Sequence, residues 1–227
     1  MNSMKLGVVG GMGPMATSMF FERIVERTEA NSDQEHIDIV ILNHASMPDR
    51  TKAILSGDYD DFLNKMREDL ELLERIGVSN IAIPCNTSHF FMKQMVQMTD
   101  VPIINMVTET ANEVLSRYGK GTRVGILATN GTIRTGTYEQ ACEAVGLVLI
   151  KPELELQEKV MQAIYDIKAD LPVDVMAFEA IIRHMIDDIH CDCVILACTE
   201  LSLIKIGPDA AVYCIDAMDV LIEKSIL

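Results

Sequence analysis

The chain has 227 residues, with 34 Asp and Glu against 19 Lys and Arg, for a formal net charge of −15. That balance repels phosphate backbones and argues against nucleic-acid binding, while a small anion can still be held in a cleft by local donors. Hydrophobic residues make up 49% but aromatic ones only 5%, so the cores are aliphatic and Met-rich, and the length suits one large α/β domain or two small lobes.

From the N-terminus, Lys5–Val9 reads as a strand that runs into a glycine turn instead of a secretory cleavage site. No apolar run approaches the roughly 18–20 residues of a membrane span. The expectation is a cytoplasmic protein without membrane association, whose six cysteines are free thiols. Further buried strands are predicted at Ile37–Leu42, Asn80–Pro84, Val101–Ile104, Arg123–Leu127, Leu147–Ile150, Cys193–Ala197 and Val212–Ile215. Amphipathic helices are predicted at Thr17–Ala30, Asp60–Ile76, Met106–Tyr118, Tyr138–Val145, Leu154–Asp166 and Val173–Ile189. This alternation predicts an α/β fold of parallel sheets flanked by helices.

The chain also repeats itself. Lys5–Gly13 resembles Arg123–Gly131, a strand ending in a glycine turn, and Ile76–Cys85 aligns without gaps on Ile189–Cys198. The second pair ends each copy on a cysteine at the carboxyl end of a strand, where open α/β sheets bind ligands. Two facing lobes would bring Cys85 and Cys198 together. Backbone N–H groups at such turns favour anions, so each turn is expected to hold a carboxylate and to lower the thiol pKa. Inverting a carbon centre needs a base on one face and an acid on the other, and two equivalent thiols meet that need.

The motifs Gly10-Gly11-Met12-Gly13-Pro14, Met47-Pro48-Asp49-Arg50-Thr51, Pro84-Cys85-Asn86-Thr87-Ser88-His89, Ala128-Thr129-Asn130-Gly131-Thr132 and Ala197-Cys198-Thr199-Glu200-Leu201 resemble the aspartate/glutamate racemase family over nearly the whole chain. The resemblance implies two pseudo-symmetric lobes with the active site between them, independence from pyridoxal phosphate or any other cofactor, no metal, and a homodimer. The lobes are expected at 1–107 plus 210–227, on the Cys85 side, and at 108–209, on the Cys198 side. Carried over by position, Cys85 and Cys198 are the catalytic pair acting on a small amino-acid substrate. Asn86, Thr87, Thr129 and Thr199 meet its amino and α-carboxylate groups. Arg50 and Lys168 meet a side-chain carboxylate, and Met12, Gly131, Thr132 and Glu200 complete the binding set. Glutamate racemases of the family usually open with Asp-Ser and follow the second cysteine with Thr-His. Gly10-Gly11 and Thr199-Glu200 stand here instead, which is similar to the aspartate branch.

Other features have simpler readings. Glu200 either tunes Cys198 or stabilises a helix start, and His89 reads as a capping or core residue. Gly11–Ala16 fits a G-x-G-x-x-A fingerprint, but Pro14 interrupts it and the ribose-binding acid is missing. Cys191 and Cys193 lack finger-like spacing and read as core. Besides racemisation of aspartate, the sequence leaves open glutamate or broad-specificity racemisation, a single-cysteine isomerase or decarboxylase, and a non-catalytic amino-acid-binding protein.

Overall fold

A computed structural model describes residues 5–226. In chain order the elements are β1 (Lys5–Gly10), α1 (Pro14–Arg27), β2 (Asp38–Asn43), α2 (Arg50–Ser56), α3 (Asp60–Ile76), β3 (Asn80–Ala82), α4 (Met92–Met95), α5 (Met106–Tyr118), β4 (Arg123–Ala128), α6 (Asn130–Thr135), α7 (Thr137–Ala144), β5 (Val148–Ile150), α8 (Leu154–Lys168), α9 (Val175–Asp187), β6 (Cys193–Ala197), α10 (Pro208–Ala211), β7 (Cys214–Asp216) and α11 (Ala217–Ile226). They form two parallel sheets, of order β2-β1-β3 and β5-β4-β6-β7. The central strands β1, β4 and β6 are almost wholly buried. They are continuous apolar runs, as strands covered on both faces must be.

The topology explains the internal repeat. β1 sits between β2 and β3 as β4 sits between β5 and β6, so the two repeated segment pairs occupy equivalent places in the two sheets. The predicted strand at Val101–Ile104 reduces to a single bridge between Ile103 and Ile81. Pro102 has no N–H to donate and gives only its carbonyl, to the Ile81 N–H, so a regular ladder cannot extend there. This segment lies beside β3 as β7 lies beside β6.

The helices that follow these fourth strands cross over. Val107, Ala111 and Val114 of α5 pack into a core with β4 and β6, while Ala217, Met218, Leu221 and Ile222 of α11 pack against β1 and α1. The expected assignment of 210–227 to the first lobe therefore divides. The helix joins the first core, but β7 hydrogen-bonds to β6 in the second sheet. The alternating chain pattern could not distinguish these, because a three-residue strand carries no periodicity of its own.

The outer faces are closed by α3 and the Asn86–Met98 segment on the first sheet and by α8 and α9 on the second. In α3, Asp60 and Asp61 occupy the first turn, Arg75 the last, and Gly77 at φ 81° ends the helix, an arrangement matched to the helix dipole and a left-handed cap. Its buried Phe62, Leu70 and Leu73 each contribute about 1.5–3 kcal/mol. Met95 and Met98 are buried in the same core. Cys191 and Cys193 pack into two different cores on opposite faces of the second sheet; Cys191 precedes β6, so the strand alternation that would put residues two apart on one face does not apply to it. Pro14 does not disrupt the first glycine turn but occupies the first position of α1, where its missing N–H costs nothing. Among the described residues, no helix is long and apolar enough to cross a membrane.

Candidate active site

The two cysteine turns face each other across the lobes. Cys85 follows β3 in extended conformation and caps a 3-10 stretch, Asn86–Phe91. His89 Nδ1–H donates to the Cys85 carbonyl (2.9 Å), and the Met106 N–H donates to His89 Nε2 (3.1 Å). These two bonds require the neutral imidazole, and burial lowers the His89 pKa from its ordinary value. His89 is thus a buried cap that holds the backbone of the Cys85 turn.

The next residues are held by the second lobe. Tyr138 O–H donates to Asn86 Oδ1 at 2.6 Å, which fixes the amide and leaves the buried Nδ2 without a partner among the described residues. Thr87 Oγ1 lies 2.9 Å from Thr129 Oγ1 and 3.0 Å from Thr132 Oγ1, and those two lie 3.1 Å apart. Thr129 also accepts the Thr132 N–H as the cap of α6. A Cβ at Gly131 would come within 2.8 Å of Thr51 Oγ1 and 3.0 Å of Thr87 Cγ2, so the lobes approach this closely because that residue lacks a side chain.

Cys198 follows β6. Thr199 Oγ1 donates to the Pro84 carbonyl at 3.3 Å, tying the second turn to the first. Glu200 is buried, and its carboxylate spans two groups. Oε2 accepts the Cys198 thiol proton at 2.9 Å, and Oε1 lies 3.1 Å from Lys168 Nζ, at the C-terminus of α8. Burial would lower the Lys168 pKa, but Glu200, with Cys198 and Cys85, raises it overall.

Arg50 begins α2 behind the Asp49 cap. Its guanidinium donates to the carbonyls of Pro48 and Met12, each at 2.9 Å. Both anchors are neutral, so they position the cation without cancelling its charge. Met12 is brought in by the glycine turn after β1. There Gly11, at φ +85°, lets the turn press on the His44 backbone, where a Cβ would come within 2.4 Å.

Met12, Arg50, Cys85, Asn86, Thr87, Thr129, Lys168, Cys198, Thr199 and Glu200 line one cleft between the sheets. Gly131 and Thr132 sit just behind it. Asp49 and Thr51 also line it, and the sequence assigned them no role although both lie in a quoted motif. Tyr138 and Gln157 were missed as well. Gln157 Nε2 donates to the Ala128 carbonyl and to Asn130 Oδ1, bracing the end of β4. The cleft is closed, with about 20 Å³ of free volume, room for a water molecule and not for an amino acid.

One electrostatic expectation is overturned. The turn was expected to lower the thiol pKa, and the Glu200 backbone N–H does act in that direction on Cys198. Burial first, and then the Glu200 carboxylate, outweigh both that N–H and the lowering effect of the Lys168 ammonium, and push the Cys198 thiol well above its ordinary range. Cys198 is therefore a protonated thiol, suited to donate a proton.

The two lobes thus bring one thiol each to a single polar cleft. Residues 9–224 match the Asp/Glu/Hydantoin racemase family, and the chain belongs to that family; it is an amino-acid racemase, an isomerase. It is similar to the broad specificity amino-acid racemase RacX of Bacillus subtilis (strain 168), with 27% identity covering 97% of this chain and 96% of that protein. The Picrophilus torridus aspartate racemase superposes with a TM-score of 0.82 at 30% identity, covering 98% of this chain and 93% of that one. A glutamate racemase of Aquifex aeolicus (strain VF5) is 24% identical over 61% of this chain and 53% of its own length.

Proposed function

We propose that the protein interconverts the L and D forms of a dicarboxylic amino acid, aspartate foremost, by proton transfer between Cys85 and Cys198. The observation that carries this reading is the placing of two thiols, from equivalent strand ends of opposite lobes, on one cleft that also holds Arg50 and Lys168. In this reading the two cations take the side-chain carboxylate, Arg50 with the geometry suited to bidentate contact. The unpartnered Asn86 Nδ2 and the threonine hydroxyls take the α-carboxylate, where charge develops as the α-proton leaves. Cys85 as thiolate removes the proton and Cys198 as thiol supplies one to the opposite face; the roles reverse for the other enantiomer. The closed cleft must open for substrate entry and close again to exclude water. The homodimer and cytoplasmic setting implied by the resemblance belong to the same reading.

The test is a panel of single amino-acid enantiomers in deuterated water, scored for α-proton exchange and for inversion. Aspartate is expected to react fastest, with alanine and other neutral residues slower by at least tenfold. Neutral amino acids reacting as fast as aspartate would instead favour a broad-specificity racemase, the reading that the likeness to RacX supports. Exchange with no inversion would overturn racemisation by paired thiols.

A further inference from the structure

The two thiols differ in one respect that pseudo-symmetry does not require. Cys85 is followed by Asn86 and Thr87, while Cys198 is followed by Thr199 and Glu200. The Glu200 carboxylate contacts a reacting atom directly, 2.9 Å from Cys198 Sγ, and its other oxygen is engaged by Lys168 at 3.1 Å. Glu200 is nearly sealed from solvent, its side chain 5% exposed, and Lys168 is 29% exposed. Lys168 lines the same cleft and already bears the Glu200 carboxylate, so a substrate carboxylate that reaches it shares the ammonium with Glu200. Arg50, with neutral anchors, offers the incoming carboxylate its first cation.

We propose that Glu200 is the proton acceptor of Cys198 and that its pairing with Lys168 makes this transfer depend on a substrate side-chain carboxylate. In the empty site the ammonium of Lys168 shares the charge of Glu200 and weakens it as a base. A side-chain carboxylate on Arg50 and Lys168 draws that ammonium away. The carboxylate left beside Cys198 is then less compensated in a desolvated site, and its proton affinity rises. The Sγ–H bond breaks and an Oε2–H bond forms. The electron pair stays on sulfur, giving a thiolate and a neutral carboxylic acid with no change in total charge. Cys198 then serves as base for the enantiomer whose α-proton faces it. On this account, a side-chain carboxylate raises turnover as well as affinity, and a neutral amino acid is a poor substrate even when bound.

The inference rests on the two-thiol reading, and the experiment separates the two. Wild type, E200Q, K168M, C85A and C198A are compared in deuterated water with aspartate and with alanine, and succinate is used as a non-reacting dicarboxylate in competition. Glutamine keeps the shape of Glu200 but cannot take the proton. E200Q is expected to lose kcat on aspartate by about 10²–10⁴-fold, the range of general acid–base catalysis. Its KM is not expected to rise, and succinate should bind E200Q at least threefold more tightly, because the internal competitor for Lys168 has lost its charge. K168M should raise the KM for aspartate and accelerate α-proton exchange on alanine, since Glu200 is then permanently released. An unchanged kcat in E200Q, weaker or unchanged succinate binding to it, or slower alanine exchange in K168M overturns the role of Glu200. If E200Q does not fold, K168M alone decides between these outcomes. Inversion retained by C85A or C198A overturns the two-thiol reading, and this inference with it. Loss of inversion in both, with E200Q like wild type, overturns this inference alone.

Discussion

The turns after β3 and β6 occupy equivalent places in two similar sheets, yet their surroundings differ in kind. The Cys85 turn is held by neutral groups. His89 caps its backbone, and Tyr138 fixes Asn86. The Cys198 turn carries a buried carboxylate and an ammonium, and the thiol is hydrogen-bonded to the carboxylate. The scaffold thus supplies two thiols on opposite sides of one cleft. At Cys198, burial and the carboxylate two residues on favour the protonated thiol. A symmetric fold need not give a symmetric site, and a proton must start on one side.

The sharpest way to break this comparison is to remove each thiol in turn. On the two-thiol reading, Cys85→Ala and Cys198→Ala each lower racemisation of aspartate by about 10²–10⁴-fold or more. They are expected to differ in what survives. Cys198→Ala keeps the thiol without a neighbouring carboxylate and should still exchange the α-proton of one enantiomer without inversion. Cys85→Ala keeps the protonated thiol and should exchange more slowly. Equal residual exchange in the two variants, followed by proton NMR, would dissolve the asymmetry.

Arg50→Met tests whether the cations outside the cysteine turns read the substrate. Losing a charge-assisted hydrogen bond costs about 1.5–3 kcal/mol, so kcat/KM for aspartate should fall by about 10–150-fold, and alanine should be affected much less. A parallel loss for both substrates would place Arg50 in scaffolding, through its bonds to Pro48 and Met12.

Tyr138→Phe loosens only the Cys85 side. It strips the buried Asn86 Oδ1 of its donor, which costs about 1–3 kcal/mol of stability, measured by denaturant unfolding. The same change should raise KM, because the Asn86 amide is then free to rotate. Unaltered KM would mean that the Asn86 amide is held by something other than Tyr138.

His89 gives the smallest effect, and its sign follows from its burial. Its folded pKa lies below the ordinary value of 6.5, so the unfolded chain binds more protons than the folded one as pH drops below about 6.5. The stabilisation is present above that pH and is lost as pH falls toward the folded pKa, by at most about 1.4 kcal/mol per pH unit. Unfolding free energies between pH 7 and 5 should show this slope in wild type and a flatter one in His89→Asn. A slope of equal size in the variant would assign the effect to groups other than His89.

Much of the scaffold was legible because its signals are local. Apolar runs marked the central strands, glycine turns marked their ends, and the ungapped match of Ile76–Cys85 with Ile189–Cys198 placed the cysteines in equivalent positions. Short or proline-bearing strands were less legible, as the single bridge at Ile103 and the placing of β7 in the second sheet show. The cleft-lining residues came from motifs carried by resemblance. Their supports did not, because the partners are remote in sequence. Tyr138 reaches Asn86 across 52 residues, Gln157 reaches Ala128 across 29, and the Met106 N–H reaches His89 across 17. No spacing rule reports such contacts.

By itself, then, the sequence determined a parallel α/β chain with two copies of one strand–turn unit and a thiol at the end of each, because hydrophobic periodicity and turn chemistry act between near neighbours. Only the tertiary structure decided that Glu200 bridges Lys168 and Cys198, that Cys198 holds its proton, and that α5 and α11 cross between the lobes. Those outcomes depend on which groups share a low-dielectric space after folding, and burial and charge together set protonation there.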